Sequence, residues 1–169
     1  DTSEINKIKD RLLQPGKLGG KRKTRKSTNK KKNKKTRSKK QKGGNQEEKD
    51  KYLFDAIELD DPNKVERALN HGADVNAKNN NNNTVLMWAS LIGYTEIVEL
   101  LLEKGANVNA KNNHNNTALI NASSAGHTQI VSMLLEKEAD VNVTDNDGYT
   151  ALINASSAGH TQIVSMLLE

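Results

Sequence analysis

The chain has 169 residues, of which 34% are hydrophobic, 28% charged and 3% aromatic, and it contains no cysteine. The lack of cysteine excludes disulfide frameworks, thiolate metal sites and cysteine nucleophiles. No apolar run approaches the ~20 residues that a membrane-spanning helix needs, so no membrane association is expected. Because aromatic side chains are so few, any core must be built from Leu, Ile, Val and Ala in thin layers.

The net charge of +5 conceals two parts of opposite sign. Residues 1–42 carry 18 Lys and Arg against 3 Asp and Glu, whereas residues 43–169 carry 8 against 18. Two parts with opposite charge indicate two different roles.

The most basic segment, residues 21–42, has 14 basic side chains and no acidic, aliphatic or aromatic one. It cannot bury enough apolar surface to offset the entropy lost on ordering, so residues 1–47 are predicted to form a disordered tail. Four interpretations stay open: an inert linker, a nuclear import signal, weak non-specific binding of nucleic-acid phosphates, and a tail that folds back on the acidic part and competes with partners. The candidate residues for import or nucleic-acid binding are Lys21, Arg22, Lys23, Arg25, Lys26, Lys30, Lys31, Lys32, Lys34, Lys35, Arg37, Lys39 and Lys40.

Beyond the tail the sequence repeats every 33 residues, and the stretch "TALINASSAGHTQIVSMLLE" occurs twice without a difference, at 117–136 and 150–169. In the unit before these copies, Thr84 is placed to cap a helix over "VLMWASLI" and Gly93 to end it. A second helix, "TEIVELLLEK", follows and ends at Gly105. Neither helix is long enough to be stable alone, and each has an apolar face that only a neighbouring unit can cover. The pattern therefore predicts two-helix layers stacked in single file.

The repeated motifs resemble those of ankyrin repeat proteins. The threonine motif reads "TVLMWA" at 84–89 and "TALINA" at 117–122, and the motif of the second helix reads "GYTEIVELLL" at 93–102 and "GHTQIVSMLL" at 126–135. The resemblance implies an all-α ankyrin-repeat solenoid, with helix-turn-helix units joined by β-hairpin-like loops, preceded by the disordered basic tail. It covers residues 48–169, with repeats at about 51–79, 80–112, 113–145 and 146–169, the last truncated.

Several positions depart from the family pattern. The glycine of the hairpin tip remains only as Gly148 and is replaced by Asn82 and Asn115, which tolerate a positive φ better than other side chains. Glu138 replaces the glycine that ends the second helix, at an expected cost of about 1 kcal/mol if the backbone there is left-handed. Lys64 replaces a repeated Ile, so the first repeat is expected to be a polar cap.

Catalytic and metal-binding roles are not expected. His127 and His160 lie one repeat apart, too far for both to bind one ion, and no third ligand is nearby, so a structural role is predicted for both. The paired serines at 123–124 and 156–157 have no base placed by the sequence pattern, so we expect them to allow close helix approach. No cofactor is expected.

The resemblance implies a non-enzymatic scaffold that binds an unidentified partner protein on a concave face formed by hairpin tips and first helices. We expect an intracellular monomer, cytoplasmic or nuclear; the alternative is a nucleic-acid-associated or nuclear-targeted protein that binds through its tail. Trp88, Leu91 and Ile92 carry most weight as contacts, then Tyr149, although burial of Trp88 against a neighbouring helix is equally expected. The predicted binding residues are Lys78, Asn80, Asn81, Asn83, Trp88, Leu91, Ile92, Lys111, Asn113, His114, Asn116, Asn121, Ser124, Thr144, Asn146, Asp147, Tyr149, Asn154 and Ser157.

Overall fold

A computed structural model describes residues 44–169. Residues 1–43, which hold most of the predicted tail and all its candidate basic residues, lie outside the described part. The described part forms eight helices: α1 Gln46–Glu58, α2 Pro62–Asn70, α3 Val85–Ile92, α4 Thr95–Glu103, α5 Ala118–Ala125, α6 Thr128–Glu136, α7 Ala151–Ala158 and α8 Thr161–Leu167.

Consecutive helices pair into four layers, and each layer packs against the next. The first helices α1, α3, α5 and α7 form one row, and the second helices α2, α4, α6 and α8 form the other. Between the rows lies a core of aliphatic side chains, in which Leu86, Ile97, Leu119 and Leu134 are at most 1% exposed. The prediction of an all-α array of thin aliphatic layers is confirmed.

Repeated threonines start the first helices. The side-chain oxygens of Thr84, Thr117 and Thr150 each accept a hydrogen bond from the backbone N–H three residues later, at 3.2 or 3.3 Å. These bonds satisfy N–H groups that the first helical turn leaves without a partner. Gly93 ends α3 in the left-handed conformation, with φ +98°. The predicted start and end of the helix are both confirmed.

The connecting loops are hairpin-like turns. Within residues 44–169 there is no extended strand, and one isolated antiparallel bridge joins Lys78 to Thr84. Asn82 and Asn115 have φ +58° and Gly148 has φ +83° at equivalent positions. Asparagine therefore keeps the turn geometry that glycine has in the last loop, as predicted.

Glu138 occupies a left-handed position that glycine fills one repeat earlier. Its φ is +61°, and Gly105 has φ +84°. We expect Glu138→Gly to raise the free energy of unfolding by about 1 kcal/mol, because the strain of a Cβ at positive φ is relieved. The reciprocal variant Gly105→Ala should lower the free energy of unfolding by a similar amount. A Cβ at position 105 meets no atom within 4 Å, so the loss there comes from backbone strain alone. Urea unfolding of the full chain measures both changes, and no gain from Glu138→Gly would show that this backbone is unstrained.

The first layer begins earlier than the predicted first repeat, since α1 starts at Gln46 and Asn45 caps it by accepting from the Glu48 N–H at 2.8 Å. The boundaries of the tail and of the repeats stay a prediction. None of the helices in residues 44–169 combines the length and apolar character required to cross a membrane.

Candidate protein-binding surface

The predicted binding residues all fall in two kinds of element. Twelve lie in the loops at residues 78–83, 111–116 and 144–149, four in each loop. The others lie on α3, α5 and α7. We call the surface formed by these three loops and three helices the loop–helix face. The structure thus places the predicted residues at equivalent positions of consecutive layers, and their role in binding stays a prediction.

Each loop is held by the side chain of its first turn residue. In the first loop, Oδ1 of Asn79 accepts from the backbone N–H groups of Asn81 and Asn83, at 3.0 and 3.1 Å. Asn112 makes the equivalent two bonds in the second loop and Asp145 in the third. A side chain that satisfies two backbone donors reduces the freedom of the turn, so the loop tips are held in one conformation.

Neighbouring loops are joined by asparagine side chains. Nδ2 of Asn82 donates to Oδ1 of Asn113 at 2.7 Å, and Nδ2 of Asn115 donates to Oδ1 of Asn146 at 2.8 Å. The backbone also contributes, because the N–H of Asn113 donates to the carbonyl of Asn81 at 3.2 Å. The two pairs repeat the same geometry one layer apart. The loop tips therefore form a connected ladder rather than three independent turns.

A second row of such bonds lies at the opposite end of the loops. Oδ1 of Asn76 accepts from the backbone N–H of Asn107 at 2.7 Å, and Oδ1 of Asn109 accepts from that of Asp140 at 2.8 Å. These residues are not among the predicted binding residues. Their signal in the sequence is the asparagine that ends "ADVN" at 73–76 and "ANVN" at 106–109, each 31 residues before the residue whose backbone N–H it accepts.

The large side chains of the loop–helix face differ in exposure. Trp88 and Leu91 are each 7% exposed, and Ile92 is partly buried. Tyr149 and Ile153, in contrast, are 50% and 40% exposed. The burial of Trp88 favours the alternative that it packs against neighbouring helices. Its Nε1 has no hydrogen-bond partner in residues 44–169. Among the predicted binding residues, the large side chain with the greatest exposure is Tyr149, whereas Ile153 is equivalent to the buried Ile120.

The two repeated histidines connect each layer to the one before it. Nε2 of His127 lies 3.2 Å from the carbonyl oxygen of Leu91, and Nε2 of His160 lies 3.3 Å from that of Ser124. A carbonyl oxygen only accepts, so Nε2 is the nitrogen that donates in each pair. Both contacts support the structural role predicted for these histidines.

Each of these rings also lies against a glycine of the preceding layer. A Cβ added to Gly93 would lie 2.5 Å from Cε1 of His127, and one added to Gly126 would lie 2.6 Å from Cε1 of His160. Glycine is therefore needed here both for its positive φ and for the space that the histidine ring occupies.

Three titratable groups with shifted pKa values lie on the first two layers, outside the predicted binding residues. A hydrogen bond from Lys64 lowers the pKa of Asp61, the residue that caps α2. A hydrogen bond to Asp55 raises the pKa of Lys51. Burial, with a smaller effect from Asp60, raises the pKa of the Tyr94 phenol. Ion pairing and packing explain these shifts, and none marks a group prepared for acid–base chemistry.

The next question is whether the described residues form a metal-binding or catalytic site. Across residues 44–169 no group of three or more His, Cys, Asp or Glu side chains is arranged to hold a metal ion. Ser123 is fully buried, and its Oγ has no partner among the described residues. The expectations of no metal, no cofactor and no catalytic residue stay predictions.

Comparison with protein families gives a consistent result along the chain. A family model described as ankyrin repeats (3 copies) matches residues 29–112, 53–145 and 108–169. A search of curated proteins found no match. The overlapping family matches cover all eight helices and all three loops of the loop–helix face.

Proposed function

The chain belongs to the ankyrin repeat family, and from that premise we propose that it binds a partner protein on the loop–helix face. Ankyrin repeats are generally protein–protein interaction modules and typically non-enzymatic scaffolds. The fold of such modules does not define the partner, so the choice of partner depends on the residues of the face.

The ladder of loop tips is the observation that carries this proposal. The Asn82–Asn113 and Asn115–Asn146 bonds hold three exposed loops side by side. A surface that is ordered before binding loses less conformational entropy when a partner docks. The exposed amides of these loops can both donate and accept hydrogen bonds, which suits the mixed polar surface of a protein.

Tyr149 is the strongest anchor candidate on the face. It is half exposed, more than any other large side chain among the predicted binding residues. A tyrosine gives a large contact area together with a hydroxyl that can hydrogen-bond, and it is favoured among residues that dominate binding energy. Trp88 and Leu91 are mostly buried, so they contribute only their exposed edges.

We expect Tyr149→Ala to weaken partner binding by at least about tenfold, the loss typical of an interface anchor. Leu59→Ala is the control, because Leu59 is 65% exposed but directly follows α1, outside the loop–helix face. Binding is measured by titration of the full chain with the partner that affinity capture and mass spectrometry identify. Equal losses in the two variants would show that Tyr149 has no special role.

The tail supports a second proposal, binding of nucleic acid, because its 14 basic side chains within residues 21–42 can neutralise phosphates. Deletion of residues 21–42 separates the two proposals. If the deleted protein captures the same partner, the repeats supply recognition. If capture is lost, and capture by the full chain also weakens steeply with salt, the tail supplies it.

We also propose that the protein is an intracellular monomer, in the cytoplasm or the nucleus. The absence of cysteine agrees with a reducing compartment, and the basic run agrees with nuclear import. Fractionation of cells expressing the chain with and without residues 21–42 tests the import role, since loss of nuclear signal on deletion is the expected result.

A further inference from the structure

A cavity lies on the first layer, outside the loop–helix face. It has a volume of about 330 Å³ and opens between the start of α1 and the end of α2. Its lining residues are Gly44, Glu48, Lys49, Tyr52, Arg67, Ala68 and His71. This volume lies at the lower end of the range for ligand pockets, roughly 300–1,000 Å³, and is sufficient for one large side chain.

The lining of the cavity includes a position at which this layer has a smaller residue than the others. Ala68 lies at the position where the following three layers have Leu101, Leu134 and Leu167. Ala68 is 2% exposed and is one of the lining residues, and we call the apolar part of the cavity beside it the notch. The ring of Tyr52, which is 43% exposed, forms part of the wall beside this notch.

The rim of the cavity is cationic. Arg67 stands where the later layers have Leu100, Met133 and Met166, and Lys49 and His71 also line the opening. Neither Lys49 nor Arg67 forms an ion pair with another described residue. Elsewhere on the same layer, Lys51 and Lys64 are paired with Asp55 and Asp61, at 2.7 and 3.0 Å. One carboxylate, that of Glu48, lies at the Gly44 side.

A cap that serves only to keep the end of the array soluble needs polar residues there, but it does not need an apolar notch or an exposed ring. The cavity combines both with two cations, Lys49 and Arg67, that have no ion-pair partner within residues 44–169. An aromatic side chain in the notch would gain apolar burial and contact with the Arg67 guanidinium. Carboxylates beside that side chain would pair with Lys49 and Arg67.

We propose that this cavity, hereafter the α1–α2 groove, docks an acidic segment of a partner protein through one bulky apolar side chain. The residues around the anchor are acidic because the rim is cationic. The proposal does not depend on the loop–helix face, and the two surfaces lie on different residues.

The test uses two labelled probes and the full chain. One probe is a short acidic peptide with a single central tryptophan, and the other is the same peptide with serine in its place. The basic tail attracts both probes equally because their charges are equal, so the difference between them reports the groove. Fluorescence anisotropy of the label should show at least about tenfold tighter binding of the tryptophan peptide, the gain expected from burial of one aromatic anchor.

Three variants locate the effect. Ala68→Leu fills the notch with the side chain of the later layers and should remove the preference for tryptophan. Lys49→Glu with Arg67→Glu should weaken the tryptophan peptide more than the serine peptide. Lys51→Glu, at an exposed lysine outside the groove, should leave the preference unchanged. Circular dichroism checks that each variant is folded. If Ala68→Leu does not fold, the double variant Lys49→Glu with Arg67→Glu still tests the groove.

Backbone amide NMR signals of Tyr52 and His71 give a direct readout of the site. The tryptophan peptide should shift both signals, and the serine peptide should shift them less. Equal affinities for the two peptides, or a preference that survives both groove variants, would overturn the proposal. A single-stranded oligonucleotide that shifts the same signals more than the peptide would also overturn it, by assigning the groove to nucleic acid.

Discussion

Ile120→Ala is expected to lower the free energy of unfolding by about 3 kcal/mol, and Ile153→Ala by only about 1 kcal/mol. The two isoleucines occupy the same place in two identical stretches of sequence, so helix propensity and local hydrogen bonding cancel in the comparison. Ile120 is 4% exposed and Ile153 is 40% exposed. The difference arises because α7 packs over α5, whereas within residues 44–169 no layer packs over α7.

A second pair of positions provides the control for this comparison. Ile130 and Ile163 are also equivalent, and both are fully buried. Ile130→Ala and Ile163→Ala are therefore expected to lower the free energy of unfolding by similar amounts, about 3 kcal/mol each. All four variants are compared by urea unfolding of the full chain, followed by far-UV circular dichroism. Equal effects at 120 and 153 would contradict the view that each layer is stabilised by the next.

Gly93→Ala should lower the free energy of unfolding by about 3 kcal/mol, and Gly159→Ala by about 1 kcal/mol. Both glycines end a first helix at positive φ, +98° and +77°, so both variants strain the backbone. A Cβ at Gly159 meets nothing within 4 Å, but a Cβ at Gly93 would lie 2.5 Å from the His127 ring. The additional loss at Gly93 measures how firmly the histidine is held against the preceding layer.

Removing the ring should relieve most of this additional loss. In a chain that already carries His127→Ala, we expect Gly93→Ala to cost only about 1 kcal/mol, the value of backbone strain alone. The four proteins of this double-mutant cycle are compared by urea unfolding. An unchanged cost of Gly93→Ala would mean that the His127 ring moves aside freely and does not connect the layers.

Much of the fold could be predicted from the sequence because the deciding signals are local and repeated. A threonine cap, an aliphatic stripe and a glycine that ends the helix recur every 33 residues. Each signal acts within a few residues of the position that carries it. Asn82, Asn115 and Glu138 were predicted on the same basis, since their positive φ depends on the turn to which they belong.

The details of the two surfaces could not be predicted in the same way. The hydrogen bond from Asn82 to Asn113 joins residues that are close only after two layers have stacked. The burial of Trp88 depends on the sizes of its neighbours on adjoining helices, which the repeat pattern leaves open. The α1–α2 groove is lined by residues of two helices, among them Ala68, in a layer whose polar residues had indicated only a cap.

Hydrogen exchange of the full chain with and without its captured partner tests the proposed binding surface most directly. We expect the partner to protect backbone amides in the loops at 78–83, 111–116 and 144–149 and in the adjoining turns of α3, α5 and α7. Tyr149 should be among the most protected positions. Protection confined to the second helices α4, α6 and α8, with the three loops exchanging as in the free protein, would contradict it.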